Sequence, residues 1–196
     1  ETFRLNAPLT HFPERNFYAE KFRSADATKD RRLALASGWG DDLAEWERVV
    51  LDPEWPIAII VHDGPSAATR NAFEAAIVAR LAKTLRTAIS DDAGHAPCSP
   101  QEFWRERLAV VSPHRAHNHE IALAIGTSDE TPFIETVDRI QGKERDCVIL
   151  SYCVADAEFA LAEARFIFSP ERLNVATTRA RSKLIVLISS KLLNAV

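Results

Sequence analysis

Apolar residues in this chain follow two patterns: short continuous runs, and longer stretches where they recur every third or fourth position. A continuous run bounded by turn residues reads as a buried strand, and the spaced pattern as an amphipathic helix. Ile57–His62 is such a run, ended by Asp63-Gly64. Over residues 67–89, Phe73, Ile77, Leu81 and Leu85 recur at i+4 and predict a helix, with Asn71 and Glu74 at capping-box spacing. Leu108–Val111 is a second strand, followed by Ser112-Pro113 and a helix over 115–125. Phe133–Val137 and Cys147–Val154 are further strands, separated by the polar turn Gln141-Gly142-Lys143-Glu144. Residues 156–164 and 170–180 read as helices and 183–188 as the last strand. Pro13 is expected to start a short helix, residues 25–50 to be irregular with a turn at Ser37–Gly40, 90–100 to be loop, and 101–107 a short helix.

Apolar strands alternating with helices predict an α/β fold: a parallel sheet with helices on both faces. Ligands of such sheets bind outside the carboxyl ends of the strands. Ser112, the stretch Asp138 to Glu144 and the residues from Val154 onward are expected there.

Length and composition narrow the function classes. The 196 residues suit one domain, and 46% apolar with 27% charged residues is ordinary for a soluble globular protein. The net charge of −4 means that a nucleic-acid contact must come from a local patch. Residues 165–183 offer one: Arg165, Arg172, Arg179, Arg181 and Lys183 against Glu171 alone. Three cysteines without a CxxC pair argue against a thiolate metal centre and point to buried thiols, a reducing compartment and a cytoplasmic location. No apolar run is long enough to span a membrane, and no signal peptide is visible. The chain opens on Glu1 and contains no methionine, so a segment of a longer chain is expected. Its alanine and arginine content points to a bacterial source.

The chemistry is carried by three short stretches. Arg172-Leu-Asn-Val-Ala-Thr-Thr-Arg179-Ala-Arg181 places three arginines on a predicted short helix, with Arg172 and Arg179 seven positions apart and so on one face. Such a face can grip phosphate oxygens or serve as a solvated surface. In the turn at 141–144, Gly142 permits close backbone approach, and Gln141 and Glu144 can hold ribose hydroxyls or waters; the same turn is also compatible with plain surface. The Ser112 hydroxyl, at a strand end before a helix, can meet an anionic oxygen or merely cap. His114, His117 and His119 form HxxHxH, which matches no standard zinc spacing. There is no GxGxxG and no GxxxxGK[ST], so the chain lacks its own P-loop and is no complete ATPase of that type.

These stretches resemble one family. Val-Asp-Arg-Ile-Gln-Gly-Lys-Glu-Arg-Asp-Cys-Val-Ile-Leu-Ser (137–151) is similar to motif V of superfamily 1 helicases of the Upf1/Dna2-like branch. Arg172–Arg181 is similar to motif VI, and Val110–Ala116 to the motif IV region. Thr2-Phe3-Arg4-Leu5-Asn6, with Phe12 and Phe17-Tyr18, resembles the segment that leads into the second motor domain with its Y-R pair. The resemblance implies a RecA-like second motor domain, with a lead-in segment over 1–50 and a core over 51–196. It implies ATP with Mg²⁺, the metal ligands and P-loop coming from an N-terminal RecA-like domain of the same chain. Arg179 matches the arginine finger and Arg4 the arginine of the Y-R pair. Gln141, Gly142, Glu144, Arg172 and Arg181 would line the nucleotide. Ser112, Pro113, His114 and Thr136 would meet single-stranded DNA or RNA through its backbone, moved 5′ to 3′, with no membrane involved. Phe3 stands for the usual Tyr, Ile140 for Phe, His114 for Tyr and His117 for Gln. The alternatives are a non-catalytic nucleic-acid-binding scaffold that keeps the fold, and a self-contained nucleotide-binding enzyme acting as a dimer.

Overall fold

Strands with apolar residues on both sides need cover on both sides, and the chain meets that need with a five-stranded parallel sheet between two layers of helices. The computed structural model describes residues 1–19, 21–90, 98–126, 131–140 and 142–195. Among these the elements run α1 (Ala7–Phe17), α2 (Glu45–Leu51), β1 (Ile57–His62), α3 (Ala72–Ala88) and α4 (Pro100–Glu102). A π-helical turn (Phe103–Arg107) leads to β2 (Leu108–Ser112), α5 (Arg115–Ile125), β3 (Ile134–Thr136), a 3-10 turn (Val137–Arg139) and β4 (Arg145–Ser151). α6 (Ala157–Ala162), α7 (Ala164–Ile167), α8 (Pro170–Thr177), β5 (Ala180–Ser189) and α9 (Ser190–Leu193) complete it. The sheet order is β1-β5-β4-β2-β3, with Val111 beside Leu150 and Ile149 beside Ile185.

Alternation along each strand divides the core. Val110, Cys147, Ile149 and Ile185 face α3 and α5, whose Val78, Leu81, Leu85 and Ile121 are fully buried. Ala109, Val111, Val148, Leu150 and Leu184 face the opposite way, under Leu9 of α1, Ala176 of α8, and Val137 and Ile140. Each fully buried Leu or Ile contributes about 1.5–3 kcal/mol. A small cluster of Val154, Ala160, Ile167, Ile188 and Leu192 closes the carboxyl end of β5.

Several sequence expectations need correction. α1 begins at Ala7, six residues before Pro13: the Asn6 side chain accepts the Leu9 amide (3.3 Å), Pro8 fits the first turn, and Pro13 lies inside the helix. The irregular stretch 25–50 contains the start of α2, held by Glu47, whose carboxylate accepts the Ala44 amide at 3.1 Å and the Arg80 guanidinium at 2.6 and 2.8 Å. β1 is an edge strand, and Ile57, Ile59 and Val61 are exposed on one face instead of buried. α8 stops at Thr177, where the Thr178 hydroxyl turns back to the Asn174 carbonyl (2.7 Å). Residues 91–97 of the predicted loop, and Gln141, lie outside the described residues. Among the described residues no helix is long and apolar enough to cross a membrane.

Candidate functional site

Residues from both ends of the chain meet at the amino ends of β4 and β5. The Asn6 amide donates to the Arg181 carbonyl (3.2 Å), and its side chain donates to the carbonyls of Arg31 and Ser182 (2.9 Å each). Arg31 in turn donates to the Arg4 carbonyl (2.8 Å). These bonds hold residues 2–6 beside the first residues of β5 and set Arg4 Nε 2.8 Å from Glu144 Oε1. Arg181 Nε lies 3.9 Å from the other Glu144 oxygen, and its Nη1 3.6 Å from Asp146. Asp146 also takes Arg107 at 2.8 Å. Arg179 sits in the turn before β5, bonded to the Val175 carbonyl (3.3 Å) and the Thr178 hydroxyl (3.2 Å). Burial pushes its pKa down and the Glu144 carboxylate opposes this, while Arg4 adds to the depression; a guanidinium stays charged regardless.

Glu144 also borders a cleft of about 680 Å³ lined by Phe3, Arg31, Arg32, Arg107, Asp146 and Arg181 among others. Among the described residues it is the carboxylate shared by the cleft and the Arg4–Arg179 pair. Since Arg4 is 58% exposed, the Arg4–Glu144 ion pair is worth at most about 1 kcal/mol. A more highly charged anion can therefore displace it. Gly142 has φ +78°, with open space where a Cβ would lie, so the turn's conformation demands glycine and close packing does not. Glu144, expected at the carboxyl ends, stands at the opposite end of the sheet, because the chain crosses one face between Val137 and Glu144.

Arg172 does not join this cluster. It is the only one of the three motif arginines on α8, and it faces the carboxyl ends of the strands, one β4 length or about 20 Å away. There it pairs with Asp138 (3.1 Å) and stacks 4.0 Å over the Phe166 ring. The basic run 165–183 is accordingly not one patch: Lys183 is fully buried, donating to the carbonyls of Asp52 (2.9 Å) and Trp55 (2.6 Å). At the carboxyl ends, Ser112 and Thr136 are neighbours across β2 and β3. Both are buried, and the Ser112 hydroxyl accepts the His114 amide (3.3 Å), a capping role. The half-buried His114 ring packs on Phe159 and Phe166. The surface of this rim is therefore Pro113, Arg115 and the edge of Arg172.

The HxxHxH histidines have separate surroundings. His119 is exposed, and His117 belongs to a buried polar network. The His117 Nδ1 accepts the Asn71 amide (3.3 Å), so its Nε2–H donates to Ser151 Oγ (2.8 Å). The Ser151 hydroxyl donates to Glu74 (2.5 Å), which also accepts the Cys153 amide and His62 Nε2 (2.9 Å each). Burial drives the His117 pKa down to about 4, only partly offset by Glu74. This network was not legible in the sequence. The Asn6 anchor was missed as well, although Asn-x-Pro before a helix is a start signal that points to it.

Comparison with known proteins matches residues 1–191 to the AAA_12 family, described as an AAA domain. Helicase sen1 of Schizosaccharomyces pombe is 26% identical over 94% of this chain. The DNA replication ATP-dependent helicase/nuclease DNA2 of Mus musculus is 27% identical over 94%, and the regulator of nonsense transcripts 1 homolog of Drosophila melanogaster 27% over 97%. The chain spans 10%, 18% and 15% of these relatives respectively. With its parallel RecA-like sheet and its match along nearly the whole length, the chain belongs to the AAA_12 family and to the Upf1/Dna2-like branch of the superfamily 1 helicases.

Proposed function

We propose that this domain is the second motor half of an ATP-driven DNA or RNA helicase and supplies the arginines that meet the γ-phosphate. The observation that carries the reading is the convergence of Arg4, Arg179 and Arg181 around Glu144 from distant parts of the sequence. Bound ATP–Mg²⁺ supplies the phosphoryl group that passes to water. Negative charge spreads over the transferring oxygens, and guanidinium forks placed at that point stabilise it. Arg179, half-buried and held by Val175 and Thr178, is preorganised for this role. Arg4 is neutralised by Glu144 until the phosphate draws it away, which frees the Glu144 carboxylate for the ribose or an ordered water. Gly142 continues that edge. Arg181, tied to Asp146, steadies Glu144, and the exposed Phe3 ring offers a flat face to a base. The donors fit a triphosphate. The Mg²⁺ ligands and the P-loop are assigned to an N-terminal RecA-like domain of the same chain, as the resemblance implies.

The nucleic-acid strand is assigned to the rim at the carboxyl ends, where Ser112 and Thr136 shape the turn from beneath and Pro113, His114 and Arg172 border it. Phosphate contacts there would be sequence-independent and salt-sensitive. The test is ATP hydrolysis by the full chain, with and without single-stranded DNA or RNA, for the native protein and Arg179→Ala. Strand-stimulated hydrolysis that falls on the order of a thousandfold in the variant supports the motor. No hydrolysis with any strand makes the domain a scaffold.

A further inference from the structure

The segment leading into β4 divides two clefts. Glu144 and Asp146 face the cleft described above, and the alternate residues Lys143 and Arg145 face another, of about 590 Å³, along the outer edge of β3. The preceding π-helical turn is divided likewise, Glu106 and Arg107 lining the first cleft and Trp104 and Arg105 the second. Alternation thus sorts charge: among the described residues the second cleft is lined by Arg105, Lys143, Arg145 and Glu135, and Arg105 also pairs with Glu106 at 3.2 Å.

Two of those cations are unusual. Arg145 is only 8% exposed. Its Nε and Nη1 donate to the carbonyls of Trp104 (3.1 Å) and Glu144 (2.8 Å), and its Nη2 has no hydrogen-bond partner among the described residues. No carboxylate lies within ion-pairing distance of Arg145 or Lys143 among those residues. Both stack on the Phe133 ring, at 4.5 and 5.0 Å. A ring face attracts both cations but neutralises neither. Glu106 and Asp146 act on Arg145 through space and offset part of its burial cost, and an anion at its free edge would offset more.

We infer that this second cleft binds a phosphate group, held by Lys143, Arg105 and the free edge of Arg145. A phosphate, with more oxygens and more charge than a carboxylate, can meet the Arg145 fork, Lys143 and Arg105 at once. The phosphate can come from a nucleic-acid strand rounding the β3 edge from Thr136, or from a free nucleotide or polyphosphate.

The test uses the full chain carrying Arg179→Ala, so that phosphate binding at the Arg4–Arg179 cluster does not obscure the readout. Inorganic pyrophosphate is titrated by calorimetry, and a fluorescein-labelled oligothymidylate by anisotropy over a range of salt. Lys143→Glu and Arg105→Glu are made separately; both side chains are exposed, and unchanged thermal melting verifies the fold. At least tenfold weaker pyrophosphate binding in both variants is expected. If the source is a strand, pyrophosphate competes with the oligonucleotide, and Lys143→Glu lowers the salt dependence of log K by about 0.7. If it is a free nucleotide, only the pyrophosphate arm changes. Binding equal to the parent's in both arms and both variants overturns the assignment. That outcome is separate from failure of the motor reading, which hydrolysis reports.

Discussion

Acidification from pH 7 to pH 5 should destabilise this domain chiefly through one ring, His117. Its Nδ1 accepts the Asn71 amide, so a proton added there would set two donors against each other in a site closed to water. The groups facing it are Glu74 and Asn71 from α3, Ser151 and Cys153 at the end of β4, and His114 on its own helix. The folded pKa is about 4 against 6.5 for the free side chain. Because the folded value is the lower, the unfolded chain binds the proton first. Stability is therefore full above about pH 6.5 and is lost as pH falls towards 4, by about 3 kcal/mol in all. About 2 kcal/mol of that is gone at pH 5, before most carboxylates titrate, which lowers Tm by about 4–8 °C for a domain of this size. The assay is thermal unfolding at pH 7, 6 and 5 for the native chain and His117→Gln. Glutamine, the residue common at this motif position, offers one donor to Ser151 and one acceptor to Asn71 and does not titrate. The native-minus-variant difference should fall by about 2 kcal/mol over this range. Parallel pH profiles for the two proteins, or a His117 ring that titrates near 6.5 by NMR, would refute the reasoning.

Asn6→Ala removes a helix cap and two buried donors at once and should cost about 3 kcal/mol in urea unfolding, with strand-stimulated hydrolysis falling as Arg4 loses its anchor. Cys98, Cys147 and Cys153 are buried, and burial raises all three thiols, Cys147 to about 12. A thiol-reactive dye at pH 8 should therefore label none of them until denaturant is added. Leu85→Ala in the α3 core should cost about 2–5 kcal/mol, while Leu161→Ala on the exposed face of α6 should stay within about 0.5.

The sequence by itself determined the class of fold and the order of its parts. Unbroken apolar runs at Leu108–Val111 and Cys147–Leu150 can be satisfied only by cover on both faces, and that requirement is local enough to read from the sequence. The same holds for α3 and α5, whose apolar positions recur at helical spacing, and for the motifs that carry the family. It could not tell that Ile57–His62 lies at an edge, because an apolar run looks alike in the middle and at the rim of a sheet. Only strand order leaves Ile59 and Val61 uncovered. Nor could spacing show that Arg172 parts from Arg179 and Arg181, since that depended on α8 stopping at Thr177, two residues before Arg179. Tertiary structure alone decided that Arg4 meets Glu144 and that Lys143 and Arg145 look away from it. Such contacts join residues far apart in the chain, and the alternation that separates them takes its meaning only once β4 has neighbours on either side.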